Sequence, residues 1–327
     1  MLSTLLFAAS SSSSASQSSS LIAAAAASGR PRECAATLRR GLSRKPTIWE
    51  IARAPELSTY CDLIARAKAE LGSDPKAAKA SAIAADKALP GYAAPKVLLG
   101  RAALALGKLD EASRELEAAR ALDPRSVEDP PTMHDLAIVL RKTGKLEEAL
   151  IVYRALVPRI DLLGPADRRI TVLLEAAHVS MAVSGIRLSA GGPTTTSNKT
   201  ERKAPLDEAV AYLREARQRP PTALTGDVLL SLVLVLDRNG DRVGADAALA
   251  DAVAEGVHLH PGVLEYLAIA DDKPCIEALA ETGPAAIKLW ETYLAGPSGK
   301  GPWAQVTKTR LEAAKKAPRP PTGKTKP

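Results

Sequence analysis

Aromatic residues are almost missing from this chain. Its 327 residues include one Phe, six Tyr and three Trp. A β-sandwich or barrel core is filled largely by aromatic and β-branched side chains, so this composition argues against one. Cysteine is equally sparse, with Cys34, Cys61 and Cys275 and no C-x-x-C pair. That spacing excludes the usual zinc and thioredoxin-like motifs. There is no G-x-S-x-G, H-E-x-x-H or G-x-x-x-x-G-K-[ST], so the common hydrolase, metalloprotease and nucleotide-binding signatures are lacking. The histidines are His134, His178, His258 and His260. The pair flanking Leu259, with Asp271 and Asp272 as the nearest carboxylates, makes two metal ligands at best; a solvated loop is the expected reading, and Asp271–Asp272 reads as a turn or helix cap. No metal and no cofactor is expected. Neither apolar run near the N-terminus reaches the roughly 18 residues that a membrane-spanning helix needs.

What the chain has instead is leucine and alanine, good helix formers, with glycine and proline falling between helical patterns. Its net charge is +7, placed unevenly. Residues 30–53 carry +5 and residues 300–327 carry +7, while the first 29 residues are uncharged and the body from 54 to 299 is −5. The basic ends are expected to be solvated tails. The last eleven residues, APRPPTGKTKP, hold no aromatic for base stacking, so nucleic acid is not an expected partner.

Residues 1–29 combine short apolar runs (Leu2 to Ala9 and Leu21 to Ala27) with a serine tract. Small residues at Ala25 and Ala27 suit an A-x-A cleavage site, although the basic n-region is absent. This reads as an export signal or low-complexity leader, followed by a basic segment over 30–56. In an exported chain, Cys34 and Cys61 are the plausible disulfide, closing a loop of about 27 residues worth roughly 3 kcal/mol in the loop-entropy model. In a cytosolic chain both would be ordinary small apolar residues.

The most informative stretch is 93–124, AAPKVLLGRAALALGKLDEASRELEAARALDP. Two helical patterns flank a Gly-Lys-Leu-Asp turn. Leu99 and Gly100 sit in the first, Gly107 ends it, and Ala112, Leu116 and Ala119 line one face of the second. The turn recurs 37 residues later, where Gly144-Lys145-Leu146-Glu147-Glu148-Ala149 nearly repeats Gly107-Lys108-Leu109-Asp110-Glu111-Ala112. Related units read at 57–90, where Asp74-Pro75 makes the turn, and at 130–163. Looser ones follow at 166–219, with 186–204 as a polar insertion expected to be disordered and Pro205 in the first turn of the second helix, and at 224–256. A final hairpin carries Trp290 and Trp303.

This spacing of small and large apolar residues resembles the tetratricopeptide repeat, a helix–turn–helix unit of about 34 residues. The ending is similar to the terminal repeats of exported bacterial members of that family. The resemblance implies an all-α, right-handed superhelical solenoid of stacked helix–turn–helix repeats over 57–316, with a basic tail over 317–327. It implies a non-catalytic scaffold that binds a protein or peptide partner through its concave groove, in the periplasm or cell envelope. A cytoplasmic accessory or regulatory subunit is the alternative. First helices line such a groove. Setting the units in register on their turn glycines aligns Arg66 with Arg101 and places His134, Arg141 and Lys142 on the corresponding face of the next helix. Arginines there would suit an acidic peptide or a C-terminal carboxylate. Glu175 and Asp237 would continue the wall.

Overall fold

The computed structural model describes residues 31, 33–34, 56–190, 196–256, 258–260 and 263–316. The leader, most of the basic segment over 30–56 and the tail over 317–327 lie outside the described residues. Among the described residues every regular element is helical. The helices are α1 Leu57–Glu70, α2 Pro75–Ala88, α3 Ala93–Ala105, α4 Leu109–Leu122, α5 Pro130–Lys142, α6 Leu146–Leu156, α7 Ala166–Ser189, α8 Thr196–Gln218, α9 Thr225–Asn239, α10 Arg242–Ala254, the single turn α11 Val263–Tyr266, α12 Lys273–Ala280, α13 Gly283–Ala295 and α14 Ala304–Lys316. They pack as sequence-adjacent pairs: α1 on α2, α3 on α4, α7 on α8, α9 on α10 and α12 on α13.

One turn is reused along the chain. Gly107, Gly144 and Gly240 each end a first helix in the left-handed region, at φ 73°, 78° and 88°. The residue after each glycine donates its N–H back across the turn: Lys108 to Ala103, Lys145 to Leu140 and Asp241 to Leu236, all at 2.9 Å. This satisfies helix-end carbonyls that would otherwise lack partners, and a side chain at φ above zero would be strained. Where the glycine turn is missing, an aspartate does related work at the next helix start. Asp74 accepts from the N–H groups of Lys76 and Ala77 at 3.1 and 3.0 Å, with Pro75 in the first turn.

Close helix crossing depends on small residues. A Cβ on Gly100 would stand 2.6 Å from Leu116 Cγ and 3.2 Å from the Ala112 carbonyl. Ala112, Leu116 and Ala119 are fully buried beneath it.

The chain divides into two compact units, residues 1–135 and 136–327, with the boundary inside α5. In the first, Cys34 and Cys61 are joined by a disulfide. Tyr60 is fully buried beside it and donates its hydroxyl to Glu33 at 2.7 Å. Cys34 thereby belongs to the same core as Ile64, Ala67, Ala82, Ala85 and Leu98.

The second unit is built around α7, whose residues from Val172 to Gly185 are buried all round. Among the described residues α7 is the one helix long and apolar enough to cross a membrane, and its burial inside the protein explains that composition equally well. The segment 186–204 was expected to be a disordered insertion. Helix α7 continues to Ser189 and α8 begins at Thr196, leaving 191–195 outside the described residues. Pro205 therefore lies inside α8 rather than in its first turn. The polar stretch before it needs no core, because it extends a helix already anchored by the buried Leu206, Ala209 and Leu213. Lys203 holds that extension to α9 through the Asn239 carbonyl at 3.2 Å.

Candidate functional site

The arginines singled out by register have different surroundings. Arg66 is the exposed one, its side chain 69% accessible, paired with Glu70 one turn along at 2.8 Å. Arg101 is largely covered and donates to Asp135 at 2.6 Å. Arg141 is 3% accessible; it donates to Glu175 at 2.8 Å and to the Leu267 carbonyl at 2.9 Å. His134 is buried and Lys142 is exposed. Arg66, Arg101 and His134 belong to the first unit, Arg141 and Lys142 to the second. The expectation of three solvent-facing arginines thus holds for Arg66 alone. The other two guanidinium groups are spent inside the protein, because a buried cation needs a carboxylate or carbonyl to replace water.

Those pairs have a common spacing. Arg101–Asp135, Arg141–Glu175 and Arg238–Asp272 are each separated by 34 residues. Each joins one first helix to the next: α3 to α5, α5 to α7, and α9 to the start of α12. Second helices are tied similarly, Arg217 on α8 to Asp251 on α10 at the same separation and Lys79 on α2 to Glu111 on α4 at 32 residues. The position 34 residues after Arg66 is Gly100, which has no carboxylate.

In the second unit the pairs belong to a buried polar seam. Glu175 also accepts from the Tyr153 hydroxyl at 3.1 Å. One turn farther along α7, His178 Nε2 lies 3.0 Å from the Ser231 hydroxyl of α9, and its ring packs 5.2 Å from Tyr266. The Tyr266 hydroxyl donates to Asp227 at 2.7 Å, and the His260 N–H reaches the same carboxylate at 3.3 Å. Arg238 grips Asp272 with two bonds, at 2.8 and 2.5 Å, and lies 5.5 Å over the Trp303 ring. Arg310 makes a second two-pronged pair with Asp237, at 2.5 and 3.0 Å. Asp271–Asp272, expected as a turn or helix cap, lie in a 3-10 turn at the start of α12; the Asp272 side chain makes no capping bond there, and Arg238 holds both its oxygens. Asp271 accepts from Ser298.

Burial sets the protonation of the seam. It drives the His178 pKa down to about 3, with the positive charges of Arg238 and Arg141 adding to the fall and Asp272 opposing it. The imidazole is therefore neutral at ordinary pH. Burial pushes the Asp227 carboxyl up, against the bonds from Tyr266 and His260. It also pushes the Cys275 thiol up to about 12, which makes that thiol a poor nucleophile.

A serine hydroxyl within reach of a histidine is the start of a nucleophilic site. Here Ser231 is fully buried in mid-helix, so no substrate reaches it in this arrangement. Among the described residues no group of three His, Cys, Asp or Glu is placed to hold a metal ion. A cleft of about 150 Å³ lies between the ends of α8 and α9. Its arginines, Arg217 and Arg219, already meet Asp251, Asp161 and Glu215. The seam holds helices together and also receives the segment after α10.

Most of the seam escaped reading from the sequence. Glu175 and Asp237 were expected to line an open groove, but both are buried and paired. Asp227, Ser231, Tyr266 and Arg310 carried no motif. The 34-residue interval between each arginine and its acid was the available signal.

No protein-family model matches the chain, and a search of the curated proteins returns no match.

Proposed function

We propose that this chain is a scaffold of the tetratricopeptide type, a right-handed solenoid that binds a protein or peptide partner and catalyses no reaction. The observation that carries the reading is the series of first-helix ion pairs at 34-residue separation. That interval is the repeat length of the family, and it comes from side-chain contacts rather than from the motif that suggested the family. The repeated glycine turn and the sequence-adjacent helix pairs support it. Stacked repeats of this kind commonly present extended binding surfaces.

The cell envelope is the favoured location, because a disulfide such as Cys34–Cys61 persists in oxidising compartments and is rare in the cytosol. The second reading, a cytoplasmic accessory subunit, would need both thiols reduced. Thiol counting and N-terminal sequencing of protein from its native host separate the two: free Cys34 and Cys61 with Met1 retained would sink the envelope reading.

Arg66 is an exposed arginine on a first helix, and on this reading it is a point of contact for an acidic partner. Affinity capture from the native host followed by cross-linking mass spectrometry should recover a partner with cross-links on α1. Arg66→Glu should reduce that recovery severalfold while the circular dichroism spectrum stays unchanged. Equal recovery with the variant removes Arg66 from the interface, and a failure to recover any specific partner removes the scaffold reading.

A further inference from the structure

Residues 263–272 lie across the first helices of the second unit. The Tyr266 side chain contacts α9 through Asp227 and α7 through His178. The next carbonyl, that of Leu267, accepts from Arg141 of α5. Asp272 closes the stretch on Arg238. Tyr266, Leu267 and Asp272 thus engage α5, α7 and α9. Their own regular structure is one helical turn and one 3-10 turn. Arg141 reaches a main-chain carbonyl, while a tyrosine is received by a ring and a carboxylate. Peptide-binding grooves hold their ligands in the same way, with bonds to the main chain and a pocket for an anchor side chain.

The chemistry of the contact also suits exchange. Arg141, Asp227, His178 and the Tyr266 hydroxyl are polar groups that water would satisfy if the stretch lifted away.

We propose that residues 263–272 are a resident pseudo-ligand, occupying in cis the face of α5, α7 and α9 that takes a partner peptide bearing a Tyr-Leu pair. This rests on the scaffold reading above and adds how that scaffold is held closed. Tyr266 is the anchor. A partner displaces the stretch by offering the same hydroxyl to Asp227 and the same carbonyl to Arg141.

Two measurements test it. A fluorescent peptide with the sequence of residues 263–272 is titrated against the full chain and against its Tyr266→Ala variant. The variant should bind the peptide at least tenfold more tightly than the parent does, and the same peptide carrying Y266A should lose that gain. Undetectable or equal binding by the two chains overturns the proposal. Hydrogen exchange on the unaltered chain covers the case in which the variant does not fold. Amides of 263–272 should exchange at least tenfold faster than those of α7 and α9. Exchange at one common rate would mean that the stretch opens only with the core, and would overturn the proposal. If a partner is captured yet the peptide fails to bind, this inference falls alone. If the peptide binds the variant but no partner is recovered, the scaffold reading falls.

Discussion

Lowering the pH should destabilise the second unit through His178, beginning above the ordinary carboxylate range. The imidazole is buried between α7, α9 and Tyr266, and its pKa falls from 6.5 to about 3. Within that window the unfolded chain binds a proton that the folded chain refuses. Stability therefore rises with pH, and it is lost as pH falls below the unfolded value. One proton corresponds to about 1.4 kcal/mol per pH unit, so going from about pH 7 to about pH 5 should remove ~2 kcal/mol. Glu70, Glu111, Glu147 and Asp161 have lowered pKa values through their arginine and lysine partners, so their contributions are lost only below the ordinary carboxylate range. Asp227 has a raised pKa and works in the opposite direction, gaining stability as pH falls. Comparison with His178→Gln isolates the histidine, since glutamine retains a partner for Ser231. Urea unfolding of chains carrying Trp49→Phe, followed by the fluorescence of Trp290 and Trp303 in the second unit, measures the change. The parent should lose ~2 kcal/mol more than the variant between the two pH values. Parallel losses would show that His178 accepts a proton in the folded state and that the buried seam is open to water.

Other substitutions probe separate links. Gly100→Ala should destabilise the first unit by roughly 1–3 kcal/mol, since its Cβ would meet Leu116 and overpacking outweighs the gain in helix propensity; a rise in melting temperature would refute this. Reduction of Cys34–Cys61, or Cys34→Ser with Cys61→Ser, should cost ~3 kcal/mol of first-unit stability by chemical denaturation. Asp272→Asn leaves Arg238 buried without a counter-charge and should cost roughly 3–5 kcal/mol. Arg66→Ala, by contrast, should leave the unfolding midpoint unchanged, because its side chain is exposed.

The residues from 93 to 124 illustrate how much can be read from a sequence alone. Gly100, Gly107, Ala112, Leu116 and Ala119 occupy the positions that their sizes suggested, because helix crossing and left-handed turns are local demands on side-chain volume and backbone freedom. The extent of α8 was not legible in the same way. Its polar start resembles a loop, and it is helical as an extension of a segment anchored by packing.

The candidate site was much less legible. Aligning Arg66 with Arg101 by turn position, and placing Arg141 on the corresponding face, treated equivalent places as equivalent surfaces, yet accessibility depends on what packs over them. Arg101 and Arg141 are covered and paired with Asp135 and Glu175, while Arg66 is exposed beside Glu70.

Composition, helical periodicity and the recurring glycine turn determined the all-helical, pairwise architecture, since each depends on neighbours within one repeat. Only the tertiary structure decided which charges are buried, that His178 is neutral, and that residues 263–272 lie on the first helices. Those outcomes depend on contacts between distant parts of the chain and on the loss of water around them, which no local pattern encodes.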